Sequence, residues 1–164
     1  MFVCTFTLNE ESLSKFEIGG AKYDAFSGDG NHRNKVSAMC VPDLGPISIG
    51  TYYIVQRTSG GRLGRLRDLL NDHTEWFALY AKDGVIDDVS TFCEGVARGA
   101  FRLHPKGPLG ISQGCIVIDR KTDFDLVRST LLATTGFTIP DTGIQAYGVV
   151  NVVGLPVNNK KTEK

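Results

Sequence analysis

Apolar and polar residues alternate along several short stretches of the chain, the period of a half-buried strand. "VCTFTL" gives a first strand and "IQAYGVVNVVG" a last one. Between them, "LGPISIGTYYIVQR" places a turn before a strand. Successive side chains on a strand point to opposite faces. Tyr52, Ile54 and Gln56 therefore share one face, and Tyr53, Val55 and Arg57 the other. "EWFALYAK", "AFRLHP" and "CIVID" read as further strands. "GGAKYDAFSGDGNHRNK" carries the glycine and Asp/Asn punctuation of a hairpin followed by a long loop.

The helical period is clear in two places. "GGRLGRLRDLLND" spaces Leu63, Leu66, Leu69 and Leu70 along one face, with Arg62, Arg65 and Arg67 on the solvated side. "KTDFDLVRSTLLATTG" gathers Phe124, Val127, Leu131 and Leu132 on one face, and Gly136 closes it. "DGVIDDVSTFCEGVARG" has no clean period; a helix with Asp87 and Asp88 near its start is one reading. The pattern predicts a mainly β fold with two or three short helices (α+β). It predicts one domain over residues 1–157 and a polar, disordered tail over 158–164.

Composition agrees with many short strands and tight turns. The 19 glycines among 164 residues exceed the usual ~7%. A chain of this length buries roughly 70% of its unfolded surface and needs no staples to fold. Eighteen basic residues balance eighteen acidic ones, so no positive field for nucleic acid arises. No apolar run approaches the ~20 residues of a membrane span, so no membrane insertion is expected. The opening "MFVCTFTLNEES" lacks the basic and long apolar regions of a secretory signal. Synthesis in the cytosol is therefore expected, with any export by another route.

Chemistry concentrates in "FRLHPKGPLGISQGCIVID", where ten residues separate His104 from Cys115. Arg102 and His104 share one face of their strand, and Phe101 and Leu103 the other. Pro105 has no N–H and stops the ladder. A glycine- and proline-rich return then brings Cys115 to the same sheet edge, at a closure cost of only a few kcal/mol. A neighbouring imidazole can take the proton of a thiol and leave a reactive thiolate. Gly114 allows unusual dihedrals, and the N–H groups of Gly114 and Cys115 can point at a developing oxyanion. Ser112 can bond within the turn or to a substrate. The bland alternative is a cysteine that is only a small core residue.

The four cysteines, Cys4, Cys40, Cys93 and Cys115, form no CxxC pair. Cys93, His104 and Cys115 offer three metal ligands with no apparent fourth, so no metal or other cofactor is expected. A disulfide among Cys4, Cys40 and Cys93 requires an oxidising compartment.

His104 followed by "SQGC" resembles the signature of the L,D-transpeptidases of bacterial cell walls: a histidine, a short stretch, then Ser-His-Gly-Cys. Gln113 stands where that signature has its second histidine, and Val117 where it has an arginine. "FSGDG", "GPISIGTYYI", "WFALY", "RGAFRLHP" and "SQGCIVI" fall in the order found in one branch, the L,D-transpeptidase effectors of the type VI secretion system.

That resemblance implies an L,D-transpeptidase-like β-sandwich or barrel, with Cys115 as nucleophile and His104 as general base. It implies action on peptidoglycan stem peptides in a rival's periplasm. Exchange of D-amino acids, a delivery component and a cognate immunity protein are also implied. Arg102 is then a candidate contact to a stem carboxylate, or else a surface ion pair. Ser112 and Gln113 are lesser substrate candidates. In an oxidising periplasm Cys115 must escape pairing, and Cys4 with Cys40 is the preferred disulfide. The competing readings are a cysteine amidase or endopeptidase cutting another stem bond, and a non-enzymatic binding or immunity-type module.

Overall fold

A computed structural model describes residues 1–56 and 75–155. The strands in chain order are β1 (Phe2–Leu8), β2 (Ser14–Ile18), β3 (Ala21–Phe26), β4 (Gly50–Gln56) and β5 (Phe77–Ala81). There follow β6 (Val89–Ser90), β7 (Arg98–Gly99), β8 (Arg102–Pro105) and β9 (Ile116–Ile118). A helix α1 (Lys121–Leu132) precedes β10 (Phe137–Thr138) and β11 (Gln145–Gly154). The expected helix over "GGRLGRLRDLLND" and the polar tail lie outside the described residues.

Eight strands run β1-β2-β3-β9-β8-β5-β4-β11, and the β1–β11 pairing closes the ring into a barrel. β10 adds to the start of β11, and β6 and β7 form a separate ribbon. The β1–β11 and β8–β9 pairs are parallel; the rest of the barrel is antiparallel. Among the described residues each of the eight barrel strands has a hydrogen-bonded neighbour on both sides.

The alternation read in the sequence is the inside and outside of this barrel. Cys4, Phe6 and Leu8 of β1, Phe16 of β2, Ile54 of β4, Leu103 of β8 and Ile116 of β9 fill one core cluster. Phe124, Val127 and Leu131 of α1 join the same cluster, as their helical spacing predicts. The helix runs to Leu132 with Ala133 as its C-cap, and Gly136 with φ +69° turns the chain towards β10. Tyr53 and Val55, on the other face of β4, are buried in a second cluster with Ile139 and Ala146. Strand β4 is thus covered on both sides.

Three expectations differ. "DGVIDDVSTFCEGVARG" is not a helix: it makes turns and the β6–β7 ribbon. Asp87 accepts from the Val89 N–H at 2.8 Å, a local turn bond that competes with helix formation. The strands β2 and β10 were not foreseen, because "SKFEI" and "FT" are too short to declare a period. The disulfide joins Cys40 to Cys93, with Cα atoms 5.6 Å apart. Cys4 is instead buried and free inside the barrel. Its inward position on β1 removes it from any loop that could bring Cys40 to it.

Candidate active site

His104 is the third residue of β8, and Cys115 immediately precedes β9. The two strands are parallel, with Leu103 beside Ile116 and His104 beside Val117. Continuing that register sets Arg102 beside Cys115, two residues before His104. Leu103 and Ile116 point into the core, so Arg102, His104, Cys115 and Val117 share the outer face. Two residues along and one strand across corresponds to about 8 Å between Cα atoms. The return loop therefore does not bring both residues to one sheet edge, as a hairpin would. It carries the chain back to the start of a parallel strand and sets thiol and imidazole on a diagonal.

Both groups are held. The His104 ring lies only 7% exposed and stacks on Trp76, with centroids 4.1 Å apart and planes 15° apart. His104 Nδ1 lies 2.8 Å from the carbonyl oxygen of Pro105. A carbonyl can only accept, so Nδ1 carries the proton and Nε2 is the basic nitrogen. This orienting group is a backbone atom and had no trace in the sequence.

Cys115 is partly exposed. Burial pushes its thiol up, while the Arg102 backbone N–H and the charges of Arg102 and Arg98 pull it back down. The Arg102 guanidinium forms a two-pronged ion pair with Asp88, at 2.6 and 2.9 Å, and also donates to the Phe101 carbonyl. The surface ion pair weighed against substrate contact is present.

The turn before Cys115 is built on Ser112. Its buried hydroxyl donates to the Cys115 carbonyl at 2.7 Å. The same oxygen accepts from the N–H groups of Gly28 at 3.2 Å and Gly114 at 3.3 Å. Of the two N–H groups considered for the oxyanion, that of Gly114 is turned onto Ser112. Gln113 lies exposed on the same turn.

Ser27 braces the turn from behind: its hydroxyl donates to the Gly114 carbonyl and accepts from the Ile47 N–H. Arg33 stacks on Phe26 and donates to the Gly110 carbonyl at 3.0 Å. "FSGDG" and "GPISIG" are thus the wall that holds the turn before Cys115. Gly28, with φ +88°, has no room for a side chain: a Cβ would lie 2.8 Å from the Pro46 nitrogen.

A cleft of about 650 Å³ opens beside His104, lined by Trp76, Lys106, Leu109, Ile111 and Lys121 among others. Leu109 is 81% exposed and Ile111 50%. Ser27, Arg33, Trp76 and Arg98 all bear on the site and were not singled out from the sequence. Each acts on it through backbone or ring contacts that carry no local signature. The triplet Cys93, His104 and Cys115 cannot bind a metal together, because the Cys93 sulfur is bonded to Cys40. Among the described residues no group of three or more candidate ligands converges, and no helix is long and apolar enough to cross a membrane.

A closed β-barrel with a thiol and an oriented imidazole on one outer face defines a candidate cysteine enzyme. The Tlde1 domain model matches residues 21–142, and the chain belongs to that family, the type VI L,D-transpeptidase effectors. No curated protein and no solved structure matches. The matched span contains "FSGDG" at its start and both His104 and Cys115.

Proposed function

We propose that this effector is a cysteine L,D-carboxypeptidase that trims tetrapeptide stems of peptidoglycan to tripeptides. Exchange of the terminal D-amino acid is the second outcome of the same acyl-enzyme. Residues 1–157 are read as one L,D-transpeptidase-like catalytic domain. Delivery by type VI machinery into a rival's periplasm, with an immunity protein in the producer, completes the reading.

The observation that carries it is the pair itself: Cys115 and His104 on one face, with the base nitrogen of His104 fixed by the Pro105 carbonyl. Nε2 takes the thiol proton, and the thiolate attacks the carbonyl of the third stem residue. The oxyanion draws on the Cys115 N–H, since that of Gly114 is engaged. The imidazolium returns its proton to the amine of the departing D-alanine, and a thioester remains on Cys115. Water then gives the tripeptide, and a D-amino acid gives a new amide. The cleft beside His104 is open to solvent at Leu109 and Ile111, which favours water. Arg102, clamped by Asp88, acts on the thiolate charge rather than on a stem carboxylate.

Purified tetrapeptide muropeptides incubated with the protein should become tripeptides, and Cys115→Ala should leave them intact. Added D-amino acids should lower the tripeptide fraction. Cleavage between the second and third stem residues instead would make it an endopeptidase. No cleavage, with a native thiol inert to alkylation, would make it a binding module.

A further inference from the structure

Arg98 is a buried arginine held by backbone carbonyls. It is 5% exposed, and its guanidinium donates to the carbonyls of Val41, Gly45 and Pro46. Among the described residues it makes no ion pair. Carbonyls satisfy its donors but carry no full negative charge, so a cation held this way is costly in a low-dielectric interior, and Tyr52 and Asp43 offset only part of that cost. The charge is aimed at the nucleophile turn. A Cβ on Gly114 would lie 2.5 Å from Arg98 Nη2 and 2.6 Å from the Phe101 ring. Gly114 has φ +119°, so both its backbone and its missing side chain admit this approach. The Phe101 ring lies under the guanidinium, 5.3 Å from centroid to Cζ.

The cage is also stapled. Cys40 immediately precedes Val41, and Cys93 lies five residues before Arg98. Their disulfide ties the loop that supplies the carbonyls to the segment that supplies the guanidinium.

We propose that Arg98 is a positioning residue for Cys115: its caged charge, held by the Cys40–Cys93 staple, fixes the Gly114 turn and stabilises the thiolate. The inference rests on Cys115 being the nucleophile, and it adds a source of thiolate stability independent of His104. Arg102 lies beside Cys115 in the register with His104 on the diagonal of the same face, and the charges of Arg102 and Arg98 both act on the thiol. Arg98 is itself faced by the Tyr52 hydroxyl and Asp43, and Arg102 by Asp88. A cation at this place lowers the pH at which the thiolate forms, and its loss raises it.

The test is the pH profile of Cys115 alkylation by iodoacetamide in the folded, disulfide-bonded protein, read by peptide mass spectrometry beside tetrapeptide trimming. Arg98→Gln keeps some donors and removes the charge; its alkylation midpoint should rise by about one pH unit or more, with kcat at neutral pH at least tenfold lower and KM unchanged. Arg98→Lys keeps the charge and should hold the midpoint close to wild type. A folded Arg98→Gln with the wild-type midpoint overturns the inference. So does an equal shift in the lysine and glutamine variants, which would mark a purely structural role. Where Arg98→Gln does not fold, the Cys40→Ala/Cys93→Ala pair decides. An upward shift there supports the caged charge, and an unchanged midpoint overturns it. A wild type whose folded Cys115 resists alkylation and which trims no stems fails at the proposed function instead.

Discussion

Cys4 and Cys115 are the two free thiols among the described residues, and both belong to strands of one barrel or their immediate entry. Cys4 faces inward, with Phe6 and Leu8 of its own strand in the same cluster. Burial pushes its pKa up to about 12, and no charged group opposes the shift. Cys115 faces outward at the end of a turn. Burial raises it too, but one backbone N–H and two guanidinium charges pull against the rise. The residue type is the same and the sheet is the same. What separates the two environments is the face of the barrel and the cations gathered there, and only the second favours a thiolate.

The largest test exchanges the two. Cys115→Ala should remove all tripeptide product, whereas Cys4→Ala should leave turnover within about twofold, because its sulfur contacts only core. Chromatography of digested muropeptides reads both. Full activity in Cys115→Ala would end the comparison. Next in size, His104→Ala should cost on the order of 10³-fold in kcat, since nucleophile and base act as a unit. An effect below tenfold would assign the thiolate wholly to the arginines.

Gly114→Ala comes third. The added Cβ meets Arg98 and Phe101 in a left-handed backbone, so turnover should fall at least about tenfold with a lowered melting temperature. Unchanged melting and kinetics would show that the turn has room to give.

The Cys4 side yields a pH test. Its folded pKa of about 12 lies above the ordinary thiol value of 9.0, so the folded state holds the proton more tightly. The resulting stability is complete below about pH 9 and is lost as pH rises towards 12, by about 1.4 kcal/mol per unit. The stability difference between wild type and Cys4→Ala should therefore narrow over that range in urea titrations. A gap constant with pH would mean that Cys4 is hydrated.

Smallest is Asp88→Asn. Asp88 is about half exposed, and such ion pairs contribute at most about 1 kcal/mol, so turnover should change less than about fivefold. A larger loss would show that the clamp on Arg102 is part of the site.

The alternation of "VCTFTL" and "IQAYGVVNVVG" and the helical spacing of Phe124, Val127 and Leu131 were enough to name those elements. Each buries its own apolar face, and that need is written locally. The shared face of Arg102 and His104 followed from strand period alone. By contrast, "SKFEI" became a strand only because β1 and β3 flank it, and the Asp87 segment lost its helix to a side-chain turn bond.

The sequence by itself determined which residues can do chemistry and which must be buried, because residue type and periodicity are local properties. Only the tertiary structure decided that β8 and β9 run parallel, that Cys40 finds Cys93 while Cys4 stays sealed in the core, and that Arg98 lies behind Gly114. Those are contacts between segments far apart in the chain. They are selected by barrel closure and by the need to satisfy buried backbone groups, and no single stretch encodes them.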